Sequence, residues 1–156
     1  VADIMMDKAA LEAFLADEFP QAAGDHTILR VAPMALDLRL DVSDRHLRPG
    51  GTVSGPAMFG LADVAFYLAL LAMIGPQALA VTTGSAIDFM RKPEAGAPLV
   101  AEARILKLGR LLAVGDVLIR SGDAAGAVAR ASMTYAIPPE GRGLREVGPE
   151  SGSGVG

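Results

Sequence analysis

The chain has 156 residues, 51% of them apolar and only 4% aromatic, which is enough to enclose one substantial core and too little to call for a second domain. A net charge of -4, with no run of Lys and Arg interleaved with aromatic residues, argues against nucleic acid as a partner. The absence of cysteine excludes a disulfide framework, a thiolate nucleophile and a zinc knot, and is compatible with a reducing cytoplasm.

With so few aromatic residues, the core has to be built from Ala, Leu, Val, Ile and Met, which pack against a neighbouring subunit as readily as against each other. An oligomer is expected. The N-terminal stretch VADIMMDKAALEAFLADEF is acidic and lacks the basic-then-apolar layout of a secretory signal. It reads as a short amphipathic helix within an N-terminal segment, residues 1–26.

The main domain is expected over 27–138. Between Leu36 and Val42, LDLRLDV alternates apolar and charged residues, the period of a strand with one face buried. RPGGTVSGP then supplies turn chemistry, and Ser54 can cap a helix start with its side-chain oxygen. From Ala57 to Ile74 only Gly60 interrupts a helical run, which stops at Gly75-Pro76 after about five turns. This helix has no polar face, because Asp63 and Tyr67 are its only residues with a polar side-chain atom. It must therefore be enclosed.

The longer apolar run from Val53 to Ile74 is close to membrane-spanning length. A charge at its middle, Asp63, would cost roughly 3 kcal/mol on insertion scales, so the helix reads as a core element and no membrane partner is expected. Downstream, LAVTTGSAIDFMR, PLVAEARILKLG, LLAVGDVLIRS and GAVARASMTYAI are each rich in strand formers and separated by turn residues. The last three read as a meander. One strand, one buried helix and then consecutive antiparallel strands imply an α+β fold with a curled sheet wrapped around the helix. The tail, 139–156, is rich in Gly, Ser and charge without periodicity and is expected to be flexible.

A lone carboxylate in a hydrocarbon helix has to find partners or take up a proton, which makes Asp63 the first candidate for a nucleophile or general base. The competing reading is a buried acid satisfied by backbone groups or by Tyr67. The second candidate is the helix start, where unpaired N–H groups favour a developing negative charge and Gly55 lets a carbonyl approach closely. Taken alone, so short a motif as Ser54-Gly55-Pro56 reads as a plain helix start. Ser54 and Asp63 are about 13 Å apart along one axis, so they cannot grip one carbonyl together. If both act on it, one subunit supplies the helix start and another the carboxylate. His26 and His46 have no ligand spacing and read as ordinary loop or strand-end residues; no metal is expected. No G-x-S-x-G elbow, dinucleotide fingerprint or P-loop lysine pattern occurs.

Across about residues 31–138, GGTVSGPAMFGLADVAFYLAL and SAIDFMRKPEAGAPLVAEARILKLGR resemble the PaaI-type branch of the hot-dog fold thioesterases. The resemblance implies a cofactor-free hydrolase acting on a small or medium acyl-CoA, aliphatic or aromatic, as a homodimer or a dimer-of-dimers tetramer. It implies Asp63 as nucleophile or general base and the Gly55 N–H as the donor that polarises the carbonyl. Thr82, with Thr83 as its neighbour, would position the attacking water. Met58, Phe59 and Tyr67 would line an acyl slot, and Arg91, Lys92, Lys107 and Arg110 would meet the CoA phosphates. Two positions depart from the branch: Ser54-Gly55-Pro56 stands where His-Gly-Gly is usual, and Arg48 where an Asn is common. Either Ser54 and Arg48 take over catalytic and substrate-binding roles with an altered substrate preference, or the fold is kept with reduced activity, which keeps open a non-catalytic acyl-CoA-binding dimer. A hot-dog hydratase ranks lower, since it would need an Asp and His pair and no His lies in or beside this helix.

Overall fold

Small and apolar side chains at alternate strand positions prepare a trough, and one long apolar helix fills it. A computed structural model describes this arrangement for residues 3–122 and 126–139; the tail beyond Pro139 lies outside the described residues. In chain order the elements are α1 (Lys8–Glu18), α2 (Pro20–Asp25), β1 (His26–Ala32), β2 (Ala35–Leu40), a single 3-10 turn (Asp44–His46), α3 (Gly55–Ile74), β3 (Val81–Phe89), β4 (Leu99–Leu108), β5 (Leu112–Ser121) and β6 (Ala127–Ala136). All strand pairs are antiparallel and form one sheet in the order β1-β2-β4-β5-β6-β3. This is the hot-dog architecture.

Two strands precede the helix where the sequence suggested one. The additional strand, β1, is an edge strand with a register shift between Ile28 and Arg30, and Ile28 is its only buried residue. Its sequence HTILRVA therefore lacks the alternation that marks β2, where Leu36, Leu38 and Leu40 all point inward.

The start of α3 is local chemistry. Ser54 adopts extended backbone and its Oγ accepts the Ala57 N–H at 3.2 Å, while Pro56 sits in the first turn, where its missing N–H costs nothing. At the other end Gly75 takes φ 88°, a conformation available to glycine without a Cβ clash, and Pro76 prevents continuation. The Ala72 carbonyl in the last turn accepts N–H groups from Met5 and Met6 at 2.7 and 3.2 Å, which ties the N-terminal segment to the helix end.

Every residue from Ala65 to Met73 is buried, so the helix is enclosed on all sides over two and a half turns, as its composition requires. The trough that receives it is lined by Ala101, Ala103, Ala113, Ala129 and Ala131, all without solvent exposure. Gly115 takes this to its limit. A Cβ there would stand 2.1 Å from the Arg104 carbonyl oxygen and 2.6 Å from the Phe66 ring, so only glycine lets the helix sit this close to β5. The two sheet edges are β1 and β3. On β3 only Thr82 and Ile87 are partly covered, whereas the central strands alternate buried and wet.

Candidate active site

Asp63 lies in the third turn of α3 on the side facing the β6–β3 end of the sheet. Thr82 on β3 and Tyr135 on β6 are directly paired across the two strands, so their hydroxyls project side by side from the inner sheet face. Both donate to the same carboxylate oxygen: Thr82 Oγ1 to Asp63 Oδ1 at 2.5 Å and Tyr135 OH to Oδ1 at 2.6 Å. The Tyr135 hydroxyl is also 3.1 Å from the Asp63 carbonyl oxygen. Among the described residues nothing donates to Oδ2.

Tyr135 is 2% exposed, and burial, then its hydrogen bond to Asp63, pushes its hydroxyl far above the usual tyrosine range. It therefore remains a donor throughout the neutral and mildly alkaline range. Tyr67, one turn beyond Asp63, is pushed up to about 12 by burial and by the nearby Glu18, and its hydroxyl donates to the Ala78 carbonyl at 3.4 Å. The competing reading in which Tyr67 satisfies Asp63 is thus not what the chain does; Tyr135 and Thr82 fill that role.

The three polar groups form the floor of a cavity of about 320 Å³ whose sides include Val64, Tyr67, Ala80 and Val81, with α1 and α2 closing the remainder. An apolar recess with a few convergent polar groups is the usual form of a small-molecule site.

The helix start borders a different cavity, about 450 Å³, lined by Arg48, Gly55, Met58, Phe89, Arg91 and Lys92 among others. Among the described residues the Gly55 N–H has no acceptor, and it opens the positive end of the α3 dipole. The Phe89 ring stands 3.2 Å from where a Cβ on Gly55 would be, so a larger residue would press on that ring. Ser54 Oγ is already used as the helix cap, which assigns that hydroxyl a structural bond. Gly55 and Asp63 are eight positions apart, about 12 Å along the helix. The two candidate centres occupy separate cavities of one protomer.

Other residues singled out from the sequence distribute unevenly. Thr83 is exposed, and its Oγ1 lies 3.4 Å from the Thr134 carbonyl, away from Asp63, as expected of the strand neighbour of a residue that faces inward; the register shift between Thr82 and Gly84 falls at this residue. Met58 faces the helix-start cavity, Tyr67 the Asp63 cavity, and Phe59 is 36% exposed and lines neither; the three do not form one slot. The four basic residues also separate. Arg91 and Lys92 flank the helix start, while Arg110 borders a hollow with Ile74 at the opposite end of α3, and Lys107 lies near the end of β4. His26 opens β1 and its Nδ1 donates to the Ala22 carbonyl at 2.8 Å; the buried His46 accepts the Ser43 N–H on Nδ1 at 2.9 Å.

Tyr135 was not singled out from the sequence. Its role depends on β6 pairing with β3, which follows from the crossover order of the sheet and leaves no local signature.

Residues 50–128 match the family described as the thioesterase superfamily. The chain belongs to the thioesterase superfamily. The superfamily segment contains Gly55, Asp63 and Thr82 and leaves the two N-terminal helices, β1, β2 and Tyr135 outside it. A solved structure of a candidate thioesterase from Silicibacter sp. is 54% identical, with a TM-score of 0.83 over 88% of this chain and 96% of that one. A mutant of the phenylacetic acid degradation protein PaaI from Thermus thermophilus is 30% identical, with a TM-score of 0.67 over 76% of this chain and 99% of that one. A candidate esterase from Deinococcus radiodurans is 35% identical over 97 residues, 62% of this chain and 64% of its own length, so the match spans less than two thirds of that relative.

Proposed function

We propose that the protein is an acyl-CoA thioesterase whose active sites are composite, each using Asp63 of one subunit and the Gly55 N–H of the other. The observation that carries this reading is the carboxylate at the floor of an apolar cavity, with Oδ1 anchored by two hydroxyls and, among the described residues, no donor to Oδ2. An anchored carboxylate with one free oxygen is set up either to attack a carbonyl carbon or to take a proton from an attacking water. In both routes the carbonyl oxygen gains negative charge, which the N–H at the positive end of α3 stabilises, and the C–S bond breaks. The net change is water plus thioester giving carboxylic acid and thiol.

The edge strand β3 explains how the two halves could meet. It leaves nine residues unpaired on one side, with Val81, Phe89 and the following Met90 all more than half exposed, an edge that natural sheets cover. Antiparallel pairing with a second copy about Ser85 would set Val81 and Thr82 of one subunit beside the partner's Asp88 and Phe89. The Asp63 cavity, lined by Val81 and Thr82, would then adjoin the partner's helix-start cavity, lined by Phe89. Arg48, Arg91 and Lys92 around that cavity suit the phosphates of CoA.

The decisive experiment is Asp63→Asn assayed by thiol release against acetyl, hexanoyl and aromatic acyl-CoAs. Turnover should fall by about a thousandfold while the melting temperature stays near wild type. Wild-type turnover in the variant would remove Asp63 from the chemistry. One observation favours a second reading: Ser54 Oγ accepts the Ala57 N–H as the helix cap, a structural bond at the position where the PaaI-type branch usually has a histidine. Binding of CoA esters without thiol release by the wild-type protein would select that non-catalytic reading.

A further inference from the structure

The wall of the Asp63 cavity contributed by the N-terminal helices lies outside the matched superfamily segment, which begins at residue 50. It consists of Leu15 on α1, Ala22 on α2 and Phe19 between them. Both flanks of this wall are fastened. On α1, Leu11 and Leu15 are 0% and 3% exposed in the core. At the far end, the Ala22 carbonyl accepts from His26 Nδ1 at 2.8 Å, and Asp25 pairs with Arg45 on the turn that precedes α3.

Phe19 sits between these anchors in neither helix, at φ -137° and ψ 66°, with Pro20 stiffening the next step. Its ring meets Tyr67 edge-on at 5.7 Å, and Tyr67 lies 6.2 Å from Tyr135, the residue that holds Asp63. A row of rings thus runs from the carboxylate to the cavity rim and ends at Phe19, which is 43% exposed. Such a wall limits what can extend from Asp63: a group longer than the row has to displace Phe19 or leave the cavity.

We infer that Phe19 is a specificity-determining residue that sets the upper length of the acyl group. The inference rests on the thioesterase reading, and it assigns the acyl portion to the cavity between Asp63 and the α1–α2 junction. It makes selection a property of the N-terminal helices, separable from the hydrolytic groups on α3, β3 and β6.

The test is a kcat/KM series on straight-chain acyl-CoAs from acetyl to dodecanoyl, for the wild type, Phe19→Ala and Phe19→Trp. Truncation should raise the ratio of long-chain to short-chain kcat/KM by about tenfold or more, a change of the size that one or two methylenes produce in an apolar pocket. Enlargement to Trp should move the cutoff to shorter chains. Because Phe19 is half-exposed, both variants should melt within a few degrees of wild type. A chain-length profile that keeps its shape in both variants, or falls equally at every length, would overturn the inference and leave the thioesterase reading intact. A wild type that releases no thiol from any ester would overturn both.

Discussion

At one end of β3, a carboxylate sits under two hydroxyls that already hold it; at the other, a helix start presents an N–H with no acceptor among the described residues, beside three basic side chains. The Asp63 region is largely apolar and draws on α1, α2, α3, β3 and β6, whereas the Gly55 region carries three basic side chains and is built from two loops, the end of β3 and the first turn of α3. The difference is one of chemical role. On the proposed reading the first region activates the nucleophile, its Thr82 and Tyr135 hydroxyls being taken up by Asp63, and among the described residues the second has the N–H but no carboxylate in its lining. A single protomer carries both halves about 12 Å apart on one helix, so neither cavity alone has the full set.

The sharpest way to break this comparison is to destroy one half in each of two proteins and mix them. Gly55→Pro removes the N–H; Ser54, at φ -72° and ψ 153°, already has the backbone that a residue before proline adopts, and the added ring has only the far end of the Phe89 side chain, 3.2 Å from the Cβ position, to push aside. Asp63→Asn and Gly55→Pro should each be inactive. After unfolding and refolding together, hybrid dimers would contain one intact composite site, and activity should return to about one quarter of wild type. No recovery in a mixture shown to contain hybrids would place both functions within one subunit.

A smaller effect separates the two hydroxyls from general packing. Tyr135→Phe keeps the ring and deletes a bond to a carboxylate, so kcat should fall by about tenfold to a hundredfold with KM nearly unchanged. A loss arising only from disturbed packing would move KM and the melting temperature as well. Since burial and the Asp63 bond keep the Tyr135 proton in place well above the ordinary value of 10.0, the wild-type rate should show no loss from tyrosine ionisation up to about pH 9.

The smallest expected effect concerns how each half is held. His26 fastens the wall of the Asp63 cavity through the Ala22 carbonyl, and the His46 carbonyl accepts the Ser54 N–H beside the helix start. Burial, the largest influence on each, lowers both rings below their ordinary 6.5. Between the lowered value and 6.5 the unfolded chain binds more protons than the folded one, so the stabilisation is present above 6.5 and is lost as pH falls through the folded value. Melting temperature should therefore decline on acidification below about pH 6.5. His26→Asn should flatten part of that decline; an unchanged slope would show that His26 does not contribute to it.

The legible and illegible parts of this chain divide along the range of the interactions involved. The α3 boundaries were readable because Ser54, Pro56, Gly75 and Pro76 act within one turn of their own positions. Enclosure of the helix followed from its lack of a polar face, and Asp63 stood out for the same reason. β1 escaped notice because, at a bulged edge, its side chains face no continuous core, and the acyl slot drawn from Met58, Phe59 and Tyr67 came apart because neighbours on a helix point to different cavities.

By itself, the sequence determined an α+β chain with one enclosed helix, a single carboxylate on it and a glycine at its start, since composition, caps and periodicity are local properties. Only the tertiary structure decided that Tyr135 and Thr82 share Oδ1, that Phe19 lines the same cavity and that Arg110 lies at the opposite end of α3 from Arg91 and Lys92. Those facts depend on β3 crossing to pair with β6 and on α1 and α2 folding back over α3. They come from contacts between residues far apart in the chain, which no local pattern encodes.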